Sequence, residues 1–296
     1  MAEPTYEERL AGEAALWGAD AERAAQTVPP DWRFHQSLRH NIIYHKHDIN
    51  EFLTHVQPGM TALELGCGSG WLTLALAQRG AQATGMDISE QALNVAQRYY
   101  ESIRETVSGS VEYNAADLNV LQLPAETYNI IAVRGTLHHL LRMDAVIEQI
   151  YLALKPGGLL WVSDSAGEEA MTTALVASAL MFVLPTHISY RDKIGGLLRF
   201  GLRAPGRIKA SIEAEGLSPF EGVGREHDWV RLISQRFTVE RRIDAPAVTG
   251  YLTHQVHLPD WAALPLLRGV CVVDRVLVRL KLLHNTGVIL YARKTS

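Results

Sequence analysis

The chain has 296 residues, 47% of them apolar and 20% charged, with a formal net charge of −4. That composition excludes extended disorder and gives no electrostatic reason to expect a nucleic-acid partner. Cys67 and Cys271 stand far apart with no metal-ligand spacing, so neither a disulfide framework nor a structural zinc site is indicated, and no metal is expected. The N-terminal stretch from Met1 to Arg9 is acidic and lacks the apolar segment of a signal peptide, which makes a cytoplasmic location the expectation.

Residues 1–55 read as an N-terminal helical cover, with helical patches at Tyr6–Trp17 and Leu38–Val56 around the Pro29-Pro30 break. A strand–helix alternation then runs from 56 to 164, as βαβ units building a parallel sheet require. Strands are expected at Thr61–Gly66, Gln82–Asp87, Ser110–Asn114, Tyr128–Val133 and Leu159–Ser163. Ser89 is placed to cap a helix carrying Ala92, Leu93, Ala96, Tyr100 and Ile103. A helix over Asp144–Leu154 ends at Lys155-Pro156-Gly157-Gly158, a helix stop and tight turn.

Residues 165–224 interrupt the alternation and read as a lid insertion. Ala170 to Leu184 is uncharged but too short to cross a bilayer, which suits a buried lid helix. Arg191, Lys193, Arg199, Arg203, Arg207 and Lys209 follow against Asp192 alone. That segment reads as a solvated helix face, a contact for an anionic or lipid-linked substrate, or a peripheral membrane contact. Residues 225–296 supply the last helices and strands: helical over Asp228–Ser234 and around Val270–Leu280, extended over Phe237–Ile243 and Gly287–Ala292.

The densest chemical signal is Leu63-Glu64-Leu65-Gly66-Cys67-Gly68-Ser69-Gly70 between a strand and a helix. Glycines on alternate positions make a tight turn, and the following helix aims free N–H groups at whatever lies over it. Trp71 occupies the sixth position, where a dinucleotide turn needs a small residue, so an adenosine ligand without a pyrophosphate fits better. Asp87, ending the second strand, presents two acceptor oxygens suited to a ribose diol.

Together with Gly85-Met86-Asp87-Ile88-Ser89, Ala115-Ala116-Asp117-Leu118, the run 129–140 and Leu154-Lys155-Pro156-Gly157-Gly158, this turn resembles the class I S-adenosylmethionine-dependent methyltransferases of the small-molecule type. The resemblance is firm over about residues 40–165. It implies an α/β fold with a doubly wound, seven-stranded, mostly parallel sheet, the last strand antiparallel. It also implies S-adenosylmethionine as cofactor, with Glu64, Gly66, Cys67, Gly68, Gly70, Asp87, Ile88, Asp117, Leu118 and Arg134 around it. Glu64 would hold the turn or meet the cofactor's ammonium, Ile88 would pack on adenine, and Asp117 would accept from the adenine amine.

The protein's own task in methyl transfer is to position a nucleophile, exclude water and supply a base. His138 and His139, after the fourth strand, are the candidate bases; packing for the next helix is the alternative. Thr136, His187 and Tyr190 are candidate substrate contacts, with Glu221 and His227 on the same insertion. No Asn/Asp-Pro-Pro-Tyr/Phe block follows the fourth strand, which argues against amino-group methylation of DNA, glutamine or adenine. The expected reaction is O-methylation of a sugar or secondary metabolite. The alternatives are C-methylation of a lipid or quinone-like acceptor at a membrane surface, or a non-catalytic cofactor-binding module. Residues 165–224 are expected to choose the acceptor.

Overall fold

The computed structural model describes residues 4–27, 46–165, 171–186, 188–201, 220 and 228–295. Seven strands form one sheet: β1 (Thr61–Leu65), β2 (Gln82–Asp87), β3 (Ser110–Ala115), β4 (Tyr128–Arg134), β5 (Leu154–Ser165), β6 (Thr238–Asp244) and β7 (Gly287–Arg293). Their spatial order is β3-β2-β1-β4-β5-β7-β6, with β7 antiparallel to both neighbours and the first five strands mutually parallel. The order reverses between β1 and β4, so a crevice opens at the carboxyl ends of those strands, where open α/β sheets bind ligands.

Period-two alternation explains why the central strands read as continuous apolar runs. Leu63, Leu65, Ile131, Val133, Leu160 and Val162 face one side, packing on α5 (Met143–Ala153) and α8 (Trp229–Arg236). Ala62, Ile130, Ala132, Leu159 and Trp161 face the other, against α2 (Lys46–Phe52) and α3 (Trp71–Gln78). There Phe52 stacks on Trp161 with ring centroids 4.4 Å apart. Ser89 caps α4 (Glu90–Ile103) by accepting from the Ala92 N–H, as its sequence position predicts.

Helix α1 (Tyr6–Thr27) extends well past the Tyr6–Trp17 patch and lies along α4. Ala21 packs with Ala92 and Val95, and Arg98 pairs with Glu22 at 2.8 Å. Gly18 permits the approach, because a Cβ there would sit 2.6 Å from Gln91 Oε1. Of the second N-terminal patch, residues 38–45 lie outside the described residues.

Three elements differ from the sequence reading. Lys155-Pro156-Gly157-Gly158 is not a free turn but the start of β5, because Gly157 N–H donates to Lys294 O and Lys294 N–H to Gly158 O. Helix α5 accordingly stops at Ala153. The lid is also not a separate unit. Helix α6 (Met171–Val183) packs through Ala177 and Met181 against α9 (Thr249–Gln255) and α10 (Asp260–Arg279), burying Val248, Leu252, Ala263 and Leu267. The C-terminal helices therefore join the insertion in one helical layer. Its basic stretch is described as α7 (Tyr190–Phe200) and Gly201, while 202–209 lie outside the described residues.

Candidate active site

The glycine turn leaves β1 at Leu65 and is anchored to β2, since the N–H groups of Gly66 and Cys67 both donate to Met86 O. Gly66 has φ +73°, and a Cβ on it would lie 2.1 Å from Thr136 Oγ1. Gly70 also has φ +73°, and a Cβ there would strike the Tyr113 hydroxyl at 2.4 Å. Either glycine therefore excludes a side chain on two grounds, left-handed backbone and lack of space. Gly70 caps α3 and leaves room for Tyr113, while the cavity wall itself is built from Gly66, Cys67 and Gly68.

A cavity of about 350 Å³ opens over this turn, lined by the predicted Glu64, Gly66, Cys67, Gly68, Asp87 and Ile88. Asp117, Leu118, Arg134, Thr136, His138 and His139 complete the predicted set around it. Asp87 is buried, and both oxygens are already engaged: Oδ2 accepts from Gly68 N–H at 2.8 Å and Oδ1 from Ser89 N–H at 2.9 Å. Burial raises its pKa, against the lowering effect of those two N–H groups, and the charge of Glu13 raises it further. Asp87 thus holds the turn in shape as well as facing the cavity, and each oxygen keeps a second lone pair for a ligand hydroxyl.

Glu64 is fully buried and accepts from both the N–H (2.7 Å) and the hydroxyl of Thr73. Burial pushes its carboxyl up to about 8, although the Thr73 bonds and the Arg134 charge pull the other way. Arg134 lies over the Trp71 ring, 5.2 Å from its centroid. Cys67 is buried, with its thiol pushed well above the ordinary range by desolvation; it fills space rather than attacking. Asp117 accepts from Asn119 N–H through Oδ1 and from the Tyr6 hydroxyl through Oδ2 at 2.6 Å.

His138 Nδ1 lies 2.5 Å from Asp164 Oδ1. The same buried carboxylate also accepts from the N–H groups of Thr136, Leu137 and Ser165. Burial pushes Asp164 up, but the His138 charge and these bonds outweigh it and leave the carboxyl below its usual range. An ionised carboxylate only accepts, so Nδ1–H is the donor of this pair and Nε2 is the nitrogen left to exchange a proton with a substrate. His139 turns toward α1, with Nδ1 3.5 Å from Glu13 Oε1 and its ring edge-on to Trp17.

One predicted substrate contact, Tyr190, does not line this cavity. Tyr190 is half exposed on α7, donates to Val183 O and stacks on Lys193, whose ammonium is bonded to Met181 O and Leu184 O. It fastens α7 to α6 instead. His187 lies outside the described residues, as do Glu221 and His227. The sequence reading missed Tyr6, Glu13 and Trp17, which line or roof the cavity from α1, and Asp164, which orients His138. Only Asp164 left a signal, as an acid ending a strand whose neighbour carries the histidines. Among the described residues no group of His, Cys, Asp and Glu is arranged to hold a metal.

The donor set fits a cationic ligand. Glu13, Asp87 and Asp117 line the cavity with Arg134 as the facing guanidinium, and Glu64 adds a carboxyl that a neighbouring cation would ionise, a balance that repels a pyrophosphate and suits a sulfonium and an ammonium. Gly68 faces open space, so a Cβ there would project into the cavity.

Residues 63–162 match the family model of the methyltransferase domain. The ubiquinone biosynthesis O-methyltransferase of Idiomarina loihiensis is 36% identical over 108 residues, 36% of this chain and 42% of that protein. Its mitochondrial namesake in Rattus norvegicus is 26% identical over 167 residues, 54% of this chain and 45% of that protein. The chain thus spans less than half the length of these curated relatives. The crystal structure of the [4+2]-cyclase SpnF superposes over 100% of this chain and 98% of its own, with a TM-score of 0.53 at 18% identity, a likeness of fold. Over residues 63–162 the chain is thus similar to the methyltransferase domain, and its seven-stranded sheet with one antiparallel strand has the fold expected from that resemblance.

Proposed function

We propose that this protein transfers the methyl group of S-adenosylmethionine to a hydroxyl oxygen of a small molecule, with His138 as general base. The supporting observation is the His138–Asp164 pair at the rim of the cofactor cavity. When bound, the cofactor supplies the electrophilic methyl group. Glu64 and Asp87 hold its amino-acid and ribose portions, and Ile88, Leu118 and Asp117 receive the adenine. Asp164 keeps His138 in the Nδ1–H tautomer and stabilises the imidazolium that forms when Nε2 takes the hydroxyl proton. Helix α1 covers the cavity through Glu13 and Trp17, is held there by the Tyr6–Asp117 hydrogen bond, and limits the access of water. Oxygen as the accepting atom is also what the curated relatives' names describe.

The test is methyl transfer from radiolabelled donor into the small-molecule fraction of a cell extract. Label released as methyl iodide by hydriodic acid marks an ether and supports the reading. Label retained on carbon, or no transfer, contradicts it.

The outer face of the lid favours a lipid-like acceptor as a second reading. Ile194 and Leu198 on α7 are exposed beside Arg191 and Arg199, and Met171 and Leu175 are exposed on α6. Co-sedimentation with anionic vesicles, and its absence with neutral ones, is the check. No helix among the described residues is long and apolar enough to cross a membrane.

A further inference from the structure

A second cavity, of about 690 Å³, continues along the carboxyl edge of the sheet from the cofactor pocket, and the two share Arg134 and Gly135. Its floor is the ends of β5 and β6 and the start of β7; α10 closes it with Arg275, Val278 and Arg279. Asp164 stands in its wall and His138, which it orients, lines the cofactor pocket, so the pair bridges the two spaces.

The charges lining it are unequal. Arg134, Arg241, Arg242, Arg275 and Arg279 face Asp164 and Asp244. Asp164 is consumed by His138 and three backbone N–H groups. Asp244 accepts from Arg242 at 3.0 Å and from Asn285. Arg241 pairs with Glu51. Arg275 and Arg279, one turn apart on the same face of α10, form no ion pair among the described residues. The nearby acid on that helix, Asp274, is fully used by the N–H groups of Ala247, Val248 and Thr249 and the Thr249 hydroxyl. The rest of the wall mixes apolar side chains, Ile243, Val278 and Ile289 among them, with the hydroxyls of Ser163, Ser165 and Thr286.

We infer that this cavity is the acceptor site and that it selects an anionic acceptor, a carboxylate or phosphate group on an apolar body, through Arg275 and Arg279. The identification as acceptor site rests on the methyl-transfer reading; the anion selectivity rests on the cavity itself. An anionic group held by α10 would place the far end of its body at Arg134 and Gly135, where the two cavities join.

The experiment is calorimetric titration of the full chain with inorganic phosphate, with protocatechuate and with catechol, which is protocatechuate without the carboxylate. S-adenosylhomocysteine is titrated in parallel to read the donor site. At least one anion is expected to bind saturably, and protocatechuate about tenfold more tightly than catechol, one charge-assisted contact being worth at least that factor. Phosphate binding more tightly than protocatechuate identifies a phosphoryl group; the reverse order identifies a carboxylate. Arg275→Gln/Arg279→Gln should abolish the preference, Arg275→Lys/Arg279→Lys should keep part of it, and S-adenosylhomocysteine binding should persist in both. Equal binding of catechol and protocatechuate, no saturable anion binding, or an anion affinity indifferent to the Gln pair overturns the proposal. Arginine-dependent anion binding without any S-adenosylhomocysteine binding would leave the anion site standing and overturn the methyl-transfer reading instead.

Discussion

The Tyr6 hydroxyl donates to Asp117 Oδ2 across 2.6 Å, joining residues 111 positions apart and closing α1 over the candidate cofactor cavity. Burial and the neighbouring carboxylate push the phenol up to about 12, so Tyr6 stays a donor at any working pH. Tyr6→Phe removes this clasp while keeping the ring. Release of S-adenosylhomocysteine, followed by stopped-flow fluorescence, should quicken by about 10- to 100-fold, as expected when a donor to a charged acceptor is lost. An unchanged release rate would mean that α1 does not gate the site.

The His138–Asp164 pair separates turnover from donor binding. His138→Gln should lower methyl transfer by about 10²- to 10⁴-fold while S-adenosylhomocysteine affinity moves little. Asp164→Asn should reduce turnover too, and it should also cost stability because three backbone N–H groups share that carboxylate. Asp164 is ionised in the fold with its pKa lowered, so its stabilisation is present above the ordinary carboxyl value and is lost as pH falls through the lowered one. Acid unfolding of the wild type should therefore be steeper than that of Asp164→Asn, monitored by circular dichroism.

Glu64 carries the opposite sign. Its carboxyl is raised from 4.5 to about 8, so its contribution to folding is complete below 4.5 and is lost as pH climbs to about 8. The ligand-free wild type should lose more Tm over that interval than Glu64→Gln. A donor ammonium favours the ionised form, so donor affinity of the wild type should rise with pH up to about 8, by at most tenfold per unit. Glu64→Gln should show a flat profile by calorimetry; a parallel slope would remove Glu64 from the ammonium site.

Gly66→Ala puts a methyl group 2.1 Å from Thr136 Oγ1 on a backbone with φ +73°. The combined cost should be about 2–4 kcal/mol of unfolding free energy, of which the left-handed backbone accounts for about 1–2. Thr136→Gly in the same chain should recover the steric part and leave the backbone part. Urea denaturation of the single and double variants separates the two.

The parts legible in the sequence are those fixed by local spacing. The alternation in β1 and β4 and the Ser89 cap follow from neighbours a few positions apart, as do the glycine turn and the acid ending β2. The clasp between Tyr6 and Asp117, the Glu13–His139 contact and the Asp164 bond to His138 join segments brought together only by the sheet and α1. Tyr190 was misplaced for the same reason: which face of α7 turns inward depends on Lys193 reaching the last carbonyls of α6. The pairing of Gly157 and Gly158 with Lys294 likewise needs the far end of the chain.

The methyl-transfer reading depends on the cavity over the glycine turn taking the methyl donor with Asp87 in its wall. Calorimetric titration of S-adenosylhomocysteine into wild-type and Asp87→Ala protein tests that directly. Saturable binding to the wild type, weakened by about 100-fold or more in Asp87→Ala, is the expected result. Failure of the wild type to bind it, or equal affinity in the two proteins, would contradict the assignment.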